Sequence, residues 1–178
     1  MSIVIANRQR TKKINAHLLK QIVTGLFAEL KIAEAELGIN LVAAPEMTLV
    51  NETFLQHVGS TDVITFDHAQ DVGDDVRRLK NQNSKTNNES PHVVSYRQVY
   101  GELFVCVDEA VLQAKSFGTS WQSEVVRYVV HGVLHLLGHD DLRAAARRTM
   151  KREENRLVRQ LAKRFSLAQI GRVSKISA

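Results

Sequence analysis

Residues 125–137 read Val, Val, Arg, Tyr, Val, Val, His, Gly, Val, Leu, His, Leu and Leu, a run apolar nearly all the way round a helix. A helix of that kind has almost no face for water, so the rest of the chain must wrap it. It nevertheless carries His131 and His135. At about 3.6 residues per turn, positions four apart differ by about 40° around the axis, so both rings leave one face. Two imidazoles buried without partners would cost free energy, and a shared metal ion satisfies both at once.

The chain continues Leu136-Leu137-Gly138-His139-Asp140-Asp141. Zinc, one ion per chain, is the expected metal because it favours imidazole nitrogen and carboxylate oxygen. A catalytic zinc site keeps three protein ligands and one position for water. The third ligand must then come from beyond the helix. Gly138 can adopt the left-handed conformation at little steric cost, which ends the helix and turns the chain back. Asp141, six residues past His135, is the expected ligand. His139 is the rival, since it stays on the same face if the helix runs on through Gly138. Gly132 argues against the H-E-x-x-H metalloprotease design, in which the residue after the first His is a Glu acting as general base.

A length of 178 residues fits one domain with a single core. Cys106 is the sole cysteine and sits in an apolar run, which leaves no intramolecular disulfide and suits a reducing compartment. The first residues lack the order of a secretory signal and no stretch reaches transmembrane length, so a cytoplasmic protein without membrane contact is expected. The net charge of +5 conceals a division. Residues 142–178 hold eleven Lys or Arg against two acids, and the remainder of the chain is net negative. Clustered cations of this sort attract phosphates by counterion release, and the competing reading is a solvated helix face with a loose tail.

Strand-like runs fall at 3–6, 39–43, 63–66 and 100–107. Asn15 caps a helix whose apolar positions Leu18, Leu19, Ile22, Val23, Leu26 and Phe27 repeat at helical spacing. Further helices are predicted at 45–54, at 109–117 with Gly118 ending it, from Ser120 through the histidine pair, and from 142 into the 160s. Met150, Leu157, Leu161 and Phe165 mark the packing face of the last. These elements predict a single α+β domain, a small mixed four-stranded sheet packed by about five helices, over residues 1–165. Residues 68–98 are polar and read as a mobile loop, and residues 166–178 as a basic, flexible tail.

The metal segment, the run Thr61-Asp62-Val63-Ile64-Thr65-Phe66 and the run Gly101-Glu102-Leu103-Phe104 occur in an order that resembles the YbeY family of endoribonucleases, which mature ribosomal RNA. The family pattern H-G-x-L-H-L-x-G-x-D-H supplies three histidines to one zinc. By register, the first two correspond to His131 and His135 and the third falls on Asp141, so the resemblance implies a His, His, Asp set here. A carboxylate in place of an imidazole lowers the charge of the site by one unit. His139 falls where the family has Tyr or His, which favours Asp141 as the ligand.

A second departure lies upstream, at Asn51-Glu52-Thr53-Phe54-Leu55. Where the family often places an Arg thought to help catalysis, this chain has Leu55, and His57 is the nearest replacement and the one weak catalytic candidate. The resemblance implies a metal-dependent endoribonuclease specific for single-stranded RNA, acting on ribosomal RNA precursors, with the small ribosomal subunit as a partner. Arg147, Lys151 and Arg152 would hold the RNA backbone without reading sequence. The alternative from another class is an RNA-binding ribosome-assembly factor whose metal is mainly structural, and loss of the family Arg favours it. Hydrolysis of a small or peptide substrate is a weaker third reading, for want of a Glu at position 132.

Overall fold

The structure, a computed structural model, describes residues 1–69 and 97–172. Asn15 opens the first helix by accepting a hydrogen bond from the Leu18 amide at 3.0 Å, and α1 runs from Ala16–Leu30 after the strand β1 (Ser2–Asn7). Lys31 then takes a left-handed conformation with φ of 56°, and its amide caps the helix by donating to Ala28 and Phe27 carbonyls. The strand β2 (Ile32–Val42) starts at once. This corrects the expected strand at 39–43. Ala, Glu and Leu in the first half are helix formers, but Ile32, Ala35 and Leu37 are buried while Glu34 and Glu36 are exposed. Pairing on both edges overrides local propensity.

After β2, Pro45 sits in the first turn of α2 (Ala44–Val50), which passes into a turn of π-helix at Asn51–Leu55. The strands β3 (Val63–Asp67) and β4 (Arg97–Cys106) follow, so β4 begins before the expected position 100. Among the described residues three further helices follow: α3 (Val107–Phe117), α4 (Trp121–Leu136) and α5 (Ala144–Arg164). Gly118, with φ of 65°, ends α3, and the Ser120 side chain accepts from the Ser123 amide to cap α4. The expected loop at 68–98 falls mainly outside the described residues. Its last two positions, Arg97 and Gln98, belong to β4.

The sheet order is β1-β2-β4-β3, with β1 and β4 parallel to β2, and β3 antiparallel to β4. Among the described residues this is the mixed four-stranded sheet with five α-helices that the alternation predicts. Val125, Val126, Val129, Val130, Val133 and Leu134 of α4 are all within 2% of complete burial. They join Leu19, Phe27, Leu37, Leu103 and Leu161 in one core, so α4 is the axis about which the other layers pack. In β3, Ile64 belongs to a second cluster with Met47 and Cys106, while the next residue, Thr65, lies on the α4 side.

Gly132 explains how α4 comes so close to the sheet. A Cβ built there would lie 2.6 Å from Leu103 Cδ2 and 3.3 Å from Thr65 Oγ1. A side chain as large as Glu has no room, which gives the missing Glu a packing reason.

The segment beyond 165 corrects the expectation of a loose tail as far as it is described. Leu167–Gly171 forms a turn of 3-10 helix, Ile170 is fully buried, and its carbonyl accepts from the Asn15 amide at 2.7 Å. Apolar contact outweighs the basic character of the surrounding sequence.

Candidate metal centre

His131 and His135 leave the same face of α4 with ring centroids 4.6 Å apart. The helix then ends on Gly138, with φ of 85°. The Gly138 amide donates to the His135 carbonyl at 2.8 Å and the His139 amide donates to the Leu134 carbonyl at 3.0 Å. These two bonds are those of a Schellman motif, which needs the left-handed residue that glycine supplies. The reversal brings Asp141 back over the helix end. Its Oδ2 lies 3.9 Å from each of His131 Nε2 and His135 Nε2, which are 3.0 Å from each other.

The protonation of these rings follows from their other nitrogens. His131 Nδ1 lies 3.1 Å from Glu154 Oε2, and a carboxylate accepts, so Nδ1 carries the hydrogen. His135 Nδ1 lies 3.0 Å from the His139 backbone carbonyl, which also accepts. In the ligating form, with its one hydrogen on Nδ1, each ring turns a lone pair at Nε2 towards the other ring and towards the Asp141 carboxylate. Three electron pairs converge on one point, an arrangement that calls for a cation. The point equidistant from the three atoms lies about 2.1 Å from each, the length of a bond from zinc to nitrogen or oxygen. The donor set fits a divalent borderline metal.

Burial, together with the neighbouring His131, holds the His135 imidazole below its ordinary range, which favours the neutral ligating form. Glu154, 4% exposed, sits behind His131. Burial alone would push its carboxyl up, but hydrogen bonds from His131 and Arg127, with Lys151 adding charge, hold it at about 2. Arg127 Nη1 donates to Glu154 Oε1 at 2.5 Å and to Asn155 Oδ1 at 2.7 Å. This carboxylate fixes a ligand's tautomer, as partners of metal-bound imidazoles do.

The structure brings His131, His135 and Asp141 together, and the His139 imidazole is not among the converging groups. His139 takes part through its carbonyl. His57 is exposed after the π turn, and Leu55 is 45% exposed. A cavity of about 600 Å³ opens beside His131 and Asp141 and includes Arg147, Lys151 and Asp62 in its wall, whereas neither His57 nor Arg152 contributes. Arg147 Nε also donates to the Asp141 carbonyl at 3.0 Å. The reading of the sequence missed Glu154 and Arg127. Their signal was present: Glu154 is the charged residue on the stripe Met150, Leu157 and Leu161, all buried.

The family model for "Endoribonuclease YbeY" matches residues 4–162. The chain belongs to the YbeY family. Among curated members, it is 29% identical over 154 residues to "Endoribonuclease YbeY" of Syntrophotalea carbinolica, covering 85% of this chain and 90% of that protein. Against the YbeY protein of Salinibacter ruber the identity is 26% over 145 residues, 82% of each chain. A solution structure of a Thermotoga maritima protein superposes with a TM-score of 0.60 at 20% identity, covering 99% of this chain and all of that one. That likeness shows a shared fold.

Proposed function

We propose that this YbeY-family protein is a metal-dependent endoribonuclease that cuts single-stranded RNA, and that its substrates are ribosomal RNA precursors met on the small ribosomal subunit. His131, His135 and Asp141 hold one zinc ion, with Asp141 in place of a third histidine. The observation that carries this reading is the convergence of two imidazole Nε2 atoms, each on a ring already committed at Nδ1, with a carboxylate oxygen of Asp141. Bound there, zinc would supply Lewis acidity towards water or a phosphoryl oxygen. Arg147 and Lys151 hold the strand by its phosphates. Glu154, its carboxyl held at about 2, is too weak a base to take up a proton near neutral pH, so its part is to orient His131. No helix among the described residues is long and apolar enough to cross a membrane, and we place the protein in the cytoplasm.

A second reading, an RNA-binding assembly factor with a mainly structural metal, is favoured by Leu55, which offers no charge where the family often has an Arg. Incubation of single-stranded RNA with wild type and with His135→Ala, both freed of contaminating nuclease, separates the two. Cleavage by the wild type alone is expected, and equal cleavage by both, or by neither, ends the nuclease reading. For the ligand set, Asp141→Ala is expected to lose metal and His139→Ala to retain it. The reverse pattern in elemental analysis would make His139 the ligand.

A further inference from the structure

The cavity beside the metal centre has a chemistry that phosphate binding does not explain. Its volume, about 600 Å³, is in the range of small-molecule sites. Phosphate-binding charge lies at the rim, where Arg147 and Lys151 are exposed. Deeper in, Asp62, Glu124 and Glu154 bring carboxylates, and Arg127 is already engaged by Glu154 and Glu124. An anion would be repelled from such an interior.

Tyr128, 4% exposed, is part of the same wall, and its hydroxyl has no hydrogen-bond partner. Burial and the nearby Asp62 and Glu124 carboxylates keep that hydroxyl protonated, so it is a donor in search of an acceptor. Asp62 already accepts from the Thr61 hydroxyl and the Val63 amide through Oδ1, and as a carboxylate it has a second oxygen. Phe117, 72% exposed, lies on the wall contributed by α3. A neutral flat ring carrying both donors and acceptors suits these groups, with an aromatic face on which to stack.

We propose that this cavity takes a nucleobase of the RNA strand, next to the phosphate that lies at the metal centre, with Tyr128 and Asp62 engaging its polar edge and Phe117 its face. The proposal rests on the nuclease reading and adds a subsite to it. Recognition of single-stranded RNA through splayed bases stacked on aromatic side chains is the general mode it follows.

Calorimetric titration of the zinc-loaded protein with the four nucleoside 5′-monophosphates and with ribose 5-phosphate tests it. At least one nucleotide is expected to bind about tenfold or more tighter than ribose 5-phosphate. Tyr128→Phe and Phe117→Ala should each erase most of that difference while leaving ribose 5-phosphate unaffected. The first removes an unpartnered hydroxyl and the second an exposed ring, so both variants should fold. Equal or undetectable binding of all five, or full preference in both variants, overturns the proposal. A base preference without RNA cleavage would leave the subsite standing and end the nuclease reading. Cleavage without base preference would do the opposite.

Discussion

Glu154 does its work through another residue. Its carboxylate fixes the hydrogen on His131 Nδ1 and so leaves Nε2 free to donate a pair. Glu154→Gln keeps the shape and removes the anionic acceptor, and metal affinity should fall about 10–100-fold in competition with a chromophoric chelator. Unchanged affinity would show that the helix alone orients the ring. At the other end of the pH scale, Tyr128 makes a separate prediction. Burial first, then the carboxylates around it, raise its pKa well above the ordinary tyrosine value. The unfolded chain gives up this proton near pH 10 while the native protein keeps it, so stability should decline as pH rises through that point. Ultraviolet absorbance should show Tyr128 ionising only together with alkaline unfolding, and early ionisation in the native state would contradict its burial.

The elements differ in how legible they were. Helix α4 and its turn could be read directly, because a run apolar on every side, two imidazoles four apart and a glycine each have one simple physical meaning. Strand β2 could not. Its first half, Ile32-Ala33-Glu34-Ala35-Glu36-Leu37, carries helix-forming residues, and what makes it a strand is hydrogen bonding to β1 and β4, contacts distant in sequence. Glu154 was legible as a charge on the buried stripe of α5, but its partner was not, because only packing brings it to His131. Gly132 was noticed for the Glu it is not, while its positive role is contact with Leu103. Gly132→Ala should gain about 1 kcal/mol of helix propensity and lose about 1–3 kcal/mol by overpacking against Leu103. Gly101→Ala should cost more, since its Cβ would meet the Phe66 backbone oxygen at 2.5 Å, an atom that cannot rotate away. Urea midpoints of the two variants test the ranking, which fails if Gly132→Ala is the less stable.

At the scale of the whole molecule, charge and closure are the two features with consequences. Eleven cations after position 141, with Arg147 and Lys151 beside the metal centre, predict RNA affinity that falls steeply with salt. Lys151→Ala should make the slope of log affinity against log salt shallower by about one unit, and an unchanged slope would remove it from the phosphate path. Closure is made by the last described turn. Ile170 is fully buried, its carbonyl holds the Asn15 amide, and the Asn15 side chain reaches the Arg172 carbonyl at 3.4 Å. Ile170→Ala should cost about 2–5 kcal/mol in thermal or urea unfolding.

That clasp joins the start of the first helix to a segment made more than 150 residues later. A nascent chain still short of it has already synthesised every ligand of the metal centre, but the first helix lacks the cover that completes its burial. Synthesis of the histidines therefore precedes closure of the fold, and a chain cut short before Ile170 should be digested by protease faster than one that carries it.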